Sequence, residues 1–231
     1  MSEPVAIVTG AGSGIGRATA HELAAAGYRV VLVGRKEASL TQTASELAAA
    51  SLVVPADVAS PQAVQRVVDR ATAEYGRVDA AIHCAALAPQ ATLEQTSVEL
   101  WRAVVDTSLS AAFYLARSLW PVFKRQGGGV LVNISSYAAR DPFPGFAAYA
   151  SAKAGLHLLG LVLAREGKPL GVRVHTVAPA AVETAMFRAI VSPQQVPSEQ
   201  CLRPAEVARV IRQCVCGDLI HTSGEVIYVH Q

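Results

Sequence analysis

The sequence predicts an α/β protein built on a doubly wound sheet of seven mostly parallel strands, with helices on both faces. Three observations carry this. Short apolar runs alternate with longer stretches of helical periodicity along the whole chain, the pattern of repeated strand-helix-strand units. A hydrophobic content of 52% against 16% charged residues suits strands buried on both faces. Gly, Pro and Ser punctuate the helical stretches where caps and turns belong.

Taken in order, the run Val5–Thr9 leads straight into Gly10-Ala11-Gly12-Ser13-Gly14-Ile15-Gly16, and a helical pattern over Ile15–Ala26 stops at Gly27. Further strands are expected at Arg29–Val33, Leu52–Pro55, Ala80–Cys84, Val130–Ile134, Val172–Val177 and Val226–Val229. Helices are expected at Leu40–Ala50, Pro61–Tyr75, Val98–Arg125, Ala148–Glu166 and Pro204–Cys216. With 231 residues and neither repeat nor linker, one domain over 1–231 is the simplest organisation. Ligands of such sheets sit beyond the carboxyl ends of the strands, where strand order reverses. Gly10 to Gly16, Cys84 to Ala86, Ser135 with Ser136, and Pro179 to Thr184 all follow strand ends, so they converge on one edge.

Composition narrows the function. The net charge of +2 is spread without a basic stripe, so no nucleic-acid partner is expected. The four cysteines show neither zinc spacing nor a C-x-x-C motif, which points to reduced thiols in a cytoplasmic protein without a bound metal. Met1 to Pro4 lacks the basic region of a signal peptide, and the apolar stretch Ala154–Ala164, broken by His157, is too short for a bilayer. No membrane partner is expected.

Two motifs carry chemistry. The glycines between the first strand and first helix permit a tight turn and bring backbone N–H groups to a helix N-terminus, where pyrophosphate charge is favoured. The pattern is T-G-x-x-x-G-x-G, with Ile15 in place of the third glycine of G-x-G-x-x-G. Farther on, Tyr149 and Lys153 stand four residues apart, hence on one helix face, with Ser136 upstream. An ammonium beside a phenol favours phenolate, and is expected to draw Tyr149 down from its usual value near 10 toward working pH. Alone, such a pair is equally the make-up of a half-exposed helix face.

Together these motifs resemble the short-chain dehydrogenase/reductase family over essentially the whole chain. Thr9-Gly10-x-x-x-Gly14-Ile15-Gly16 is similar to its cofactor turn, which includes Ser13. Asp57-Val58 is similar to its adenine-side acid, Asn133-Ile134-Ser135-Ser136 to its catalytic serine segment, and Tyr149-x-x-x-Lys153 to its active-site pair. Cys84-Ala85 stands where the family's Asn-Asn-Ala-Gly segment lies, and Pro179, Val182 and Thr184 belong to the stretch after the sixth strand. The resemblance implies a Rossmann-type fold and an NAD(P)-dependent oxidoreductase of carbonyl-reductase or alcohol-dehydrogenase type. It also implies a small carbonyl or alcohol substrate and a homodimer or homotetramer formed through Val98–Arg125 and Ala148–Glu166. Tyr149 is the expected general acid/base, Ser136 its partner on the substrate oxygen, and Lys153 the group that acidifies the phenol and holds the nicotinamide ribose.

The end of the second strand bears on cofactor choice. NAD-type members carry Asp where this chain has Gly34, and Arg35 follows, a residue suited to grip a 2′-phosphate; NADP is favoured over NAD. Ser13 stands where many NADP-type relatives place a cation, and Arg35 with Lys36 also fits an ordinary solvated turn. Three departures stand out. Ser108 holds the place of the family's catalytic Asn, whose role is to orient a water linked to the lysine; His83-Cys84-Ala85-Ala86 replaces Asn-Asn-Ala-Gly; and Ala180 replaces a glycine after Pro179. On the substrate side, Tyr137, Phe143, Phe146, Met186 and Phe187 suit either a pocket or core packing, and Arg140 with Lys168 or Arg188 suits either an anionic substrate or plain surface. The departures also leave open a second class, a nucleotide-binding regulatory or scaffold protein with the same fold and little turnover.

Overall fold

The structure, a computed structural model, describes residues 3–231. Seven strands form one sheet: β1 Val5–Thr9, β2 Arg29–Gly34, β3 Ser51–Pro55, β4 Ala80–His83, β5 Gly129–Ile134, β6 Val172–Pro179 and β7 Val226–Val229. Their order is β3-β2-β1-β4-β5-β6-β7 and every pairing is parallel. The order reverses between β1 and β4, which places a crevice at their carboxyl ends.

Strand alternation explains the two cores. Val5 and Ile7 of β1 face one way, into a cluster with α3 (Pro61–Tyr75) and α5 (Ala111–Gln126). Ala6 and Val8 face the other, into a cluster with α1 (Gly14–Ala25) and α8 (Pro204–Cys216). Both sets are fully buried, so these strands read as continuous apolar runs. Capping follows the local sequence. The Ser60 hydroxyl accepts from Ala63 N–H at 3.2 Å ahead of Pro61, and α3 ends on Gly76 in the left-handed region.

Several boundaries differ from the sequence reading. The expected helix Val98–Arg125 is three segments: α4 Val98–Val105, a π-turn Asp106–Ser110, and α5. The residues of the turn, Asp-Thr-Ser-Leu-Ser, include four weak helix formers, and Ser110 Oγ bonds the Asp106 carboxylate across the turn at 3.3 Å. Helix α2 runs Glu37–Glu46 rather than Leu40–Ala50, because the backbone turns extended at Leu47. Strand β4 stops at His83 instead of Cys84, whose N–H turns to the Thr9 hydroxyl. A short helix, α7 Ala185–Arg188, forms in a segment where no element was expected.

Helix α6, Ala147–Gly167, continues into a 3₁₀ turn, so the apolar stretch runs 24 residues from Ala147 to Leu170. The expectation that it is too short for a bilayer is therefore corrected. What identifies it as a core helix is its buried face of Ala148, Ala152, Lys153, Leu156, Gly160 and Ala164, with Gly160 pressed against Thr176 of β6.

Burial of two histidines makes stability depend on pH. His83 and His175 are essentially without solvent exposure, and burial pushes them from 6.5 down to about 3 and about 4 respectively. The unfolded chain binds more protons below about 6.5, so this stability is fully present above that pH and is lost as pH falls through the folded values. Thermal unfolding is expected to show Tm falling between pH 6.5 and 4, and His175→Gln is expected to flatten part of that fall.

Candidate active site

The glycine turn between β1 and α1 works through close approach. Gly10 and Gly14 have φ of 68° and 51°. A side chain on Gly16 would run into the Gly10 carbonyl, and one on Gly10 would meet Ala85 N at 3.0 Å. Ser13 caps α1 without a side-chain bond, and the first turn carries no acid, so its free N–H groups face the crevice uncontested. This cradle fits a pyrophosphate. Arg17, beyond the turn, is spent on the Gly12 carbonyl at 2.7 Å.

Gly10, Ser13, Gly14, Ile15 and Gly16 open onto one cavity of about 2050 Å³ that also takes in Arg35, Asp57, Val58, Cys84, Ala85, Ser136, Tyr149, Lys153, Pro179, Val182 and Thr184. The sheet explains the convergence, since most of these groups lie at or just beyond the carboxyl end of a strand, while Tyr149 and Lys153 are brought in by α6, Ala147–Gly167. Thr9 ties two of these segments together: its hydroxyl accepts from Cys84 and Ala85 N–H at 3.1 and 3.2 Å. At the outer end, Arg35 is exposed beside Gly34 and makes no hydrogen bond or ion pair among the described residues. Burial pushes the Cys84 thiol up to about 12, which makes it an inert wall.

At the inner end, α6 starts beside the turn that follows β5. Ser136 caps a 3₁₀ turn by accepting from Ala138 N–H at 3.1 Å. Ser135 Oγ donates to the Lys153 carbonyl at 2.9 Å, and also lies 2.7 Å from His157 Nε2. Lys153, 1% exposed, sends its ammonium to the Ile134 carbonyl at 2.6 Å. That ammonium lies 5.6 Å from the centre of the Tyr149 ring. Burial pushes Lys153 down to about 8.

The simple acidification expected from the four-residue spacing is not what the protein groups produce. Burial raises the Tyr149 phenol, opposed by its hydrogen bond with Ser136. Helical spacing puts Lys153 on the right face, but the buried ammonium's strongest available partner is a backbone carbonyl, and desolvation of the phenol wins.

Ser108 stands elsewhere. It is fully buried in the π-turn, outside the cavity lining, and its Oγ accepts from Leu87 N–H at 3.2 Å; its neighbour Thr107 is the one that lines the cavity. Tyr137, Phe143, Phe146, Met186 and Phe187 all line the cavity. Phe143, Phe146 and Tyr149 form an edge-to-face series with centroids 6.4 and 6.0 Å apart. None of the three cations considered for an anionic substrate lines the cavity: Arg140 lies over the Tyr228 ring, Lys168 is in the 3₁₀ turn after α6, and Arg188 is tied to Glu183. That last pair was not visible in the sequence. Arg188 holds Glu183 through two bonds of 2.8 and 2.5 Å and also bonds the Val196 carbonyl, so one side chain gathers the segment after β6. Its spacing of five residues matches no helical or strand period.

Known proteins give independent comparisons. The family model for short chain dehydrogenases matches residues 4–195. The 3-oxoacyl-[acyl-carrier-protein] reductase FabG of Escherichia coli K12 is 31% identical over 232 residues, covering 98% of this chain and 95% of that protein. An uncharacterized oxidoreductase of Staphylococcus aureus MRSA252 is 32% identical over 187 residues, 80% of this chain and 81% of that one. Among solved structures, a 3-ketoacyl-(acyl-carrier-protein) reductase from Brucella melitensis complexed with NADH superposes with a TM-score of 0.93 at 27% identity, covering 99% of this chain and 97% of that one. A short-chain type dehydrogenase/reductase from Mycobacterium ulcerans gives 0.92 at 29%, covering 99% and 89%.

A buried ammonium held by a carbonyl costs folding energy. Because the unfolded lysine keeps its proton up to 10.5 and the folded one only to about 8, the cost is full below pH 8 and shrinks as pH rises toward 10.5. Lys153→Met is therefore expected to raise Tm at pH 7, with the gap to the parent closing between pH 8 and 10, as read by thermal unfolding.

Proposed function

The chain belongs to the short-chain dehydrogenase family, and from that premise we propose that it is an NADP-dependent reductase of ketones or aldehydes, running in reverse as an alcohol dehydrogenase, with Tyr149 as general acid/base. The observation that carries the reading is that Ser136, Tyr149 and Lys153 line the same cavity as the glycine turn. The cofactor's nicotinamide supplies or accepts the hydride.

The residues divide the remaining work. Gly10, Ser13, Gly14, Ile15 and Gly16 hold the pyrophosphate on backbone N–H groups, with Asp57, Val58, Cys84 and Ala85 along the adenosine and Pro179, Val182 and Thr184 along the nicotinamide. Ser136 donates to the substrate oxygen, and Tyr149 gives that oxygen a proton or takes it back. The elevated phenol suits the donor role, since Tyr149 stays protonated at neutral pH. Lys153, with two ammonium protons beyond the one given to Ile134, orients the ribose and stabilises negative charge on the phenol. Ser108 acts from behind the wall, holding the Leu87 backbone.

Gly34 and Arg35 support the preference for NADP: the strand end carries no acid to repel a 2′-phosphate, and the Arg35 guanidinium is uncommitted among the described residues. The Brucella neighbour holds NADH, so the preference rests on those two positions of this chain. Trp101 and Phe113 along α4 and α5, and Leu158 and Val162 of α6, expose 41 to 70% of their surface. These apolar stripes support a two-fold oligomer through the same helices.

Purified protein is expected to bind NADPH more tightly than NADH by fluorescence titration, and Arg35→Ala to remove most of the difference. Tyr149→Phe is expected to lower kcat/KM for ketone reduction by about a hundredfold or more at unchanged NADPH affinity; binding with no oxidation of NADPH on any carbonyl would favour a nucleotide-binding scaffold instead. Reduction is also expected to decline above about pH 8, as Lys153 loses its charge. Light scattering is expected to give the mass of a dimer or tetramer, against the monomer that discrete exposed side chains alone would allow.

A further inference from the structure

Below the cavity, one level of the sheet is polar. Thr9, His83, Asn133 and Thr176 are register partners across β1, β4, β5 and β6, and all four are buried. Two of them are incompletely satisfied: neither His83 Nε2 nor Asn133 Nδ2 has a hydrogen-bond partner among the described residues. A buried donor left bare costs folding energy, so such sites hold water when they have polar walls.

The tautomer of His83 follows from its neighbour. Thr9 Oγ1 already accepts from Cys84 and Ala85 N–H, so the hydroxyl proton goes to the remaining contact, His83 Nδ1 at 3.1 Å. Nδ1 is then the acceptor, and the neutral ring carries its proton on Nε2. The Thr107 and Ser108 backbone of the π-turn is near enough to favour a proton on the ring, while Nε2 closes no hydrogen bond among the described residues. Lys153 is the charged group close enough to act on this ring, and Cys84 the other titratable group acting on Lys153. The turn reaches Lys153 mechanically as well. Leu109 of the turn packs on Gly155, where a Cβ would stand 2.8 Å from Leu109 Cδ2, and Gly155 lies two residues beyond the lysine on α6.

We infer that His83 is a positioning residue for Lys153, its Nε2–H holding a buried water that donates to the Thr107 and Ser108 carbonyls and so pins the π-turn against the helix that carries the lysine. The water's second lone pair serves Asn133 Nδ2. The two sequence departures, His83 and Ser108, are then one device: Ser108 spends its hydroxyl on Leu87, and the longer ring of His83 reaches the turn from the sheet.

The device rests on the proposed enzymatic reading only for its kinetic consequence, so the test has two arms. In the resting protein, ¹⁵N NMR of the His83 ring at pH 6 is expected to show a neutral imidazole protonated on Nε2 with slow solvent exchange; a ring protonated on Nδ1, or a charged one, overturns the inference without any turnover. In the second arm, His83→Asn, Ser108→Asn and the double variant are compared in kcat, KM and the pH profile of ketone reduction. His83→Asn is expected to lower kcat about tenfold with the NADPH KM unchanged and to shift the alkaline limb to lower pH. Adding Ser108→Asn is expected to restore most of both. Additive effects of the two substitutions, or a parental pH profile in His83→Asn, overturn it. His83→Gln serves where His83→Asn fails to fold, with the same loss expected because an amide cannot span Thr9 and the turn together. If the parent protein oxidises no NADPH, the enzymatic reading falls while the NMR arm still decides the inference.

Discussion

The bond from Lys153 to the Ile134 carbonyl, 2.6 Å long and sealed from solvent, sets the geometry of the whole inner site. It ties the first turns of α6 to the last residue of β5. Ser135 reinforces it by donating to the Lys153 backbone. With the helix locked there, Tyr149 one turn earlier and Ser136 at the strand end have no freedom to separate. The arrangement keeps an ammonium where, among the described residues, no carboxylate offsets its desolvation, and the lowered proton affinity of Lys153 is the physical trace of that cost.

The glycine turn obeys a different constraint, which is space rather than charge. Gly10 must clear the Ala85 backbone and Gly16 must clear the Gly10 carbonyl, so the turn closes only with hydrogens in place of side chains. Thr9 then couples this turn to the end of β4 through two backbone bonds. The same hydroxyl reaches His83, so the glycine turn and the buried polar level of the sheet share one residue. The Glu183–Arg188 pair gathers the segment after β6, with Arg188 holding Glu183 down to about 2.

Much of this was legible in the chain. The alternation of apolar runs with helical stretches located every strand to within two residues at either end, because strands buried on both faces leave an unmistakable apolar signature. Membership of the family was legible from the spacing of Gly10 to Gly16, Ser136, Tyr149 and Lys153. The π-turn was not, since one extra residue per turn barely disturbs a helical period over a long window. Nor was the state of Tyr149: spacing says which groups share a face, not which of them loses its water.

The sequence by itself determined the class of the molecule, the order of its elements and the residues brought to the carboxyl edge, because backbone periodicity and turn chemistry are local properties. Tertiary structure decided the rest. It turned the Lys153 ammonium to a carbonyl instead of the phenol, set Ser108 behind the wall, committed Arg188 to Glu183, and put His83 Nδ1 beside the Thr9 hydroxyl. Each of these depends on how deeply a group is buried and on which unpaired donor or acceptor lies nearest in space, and neither quantity is written along the chain.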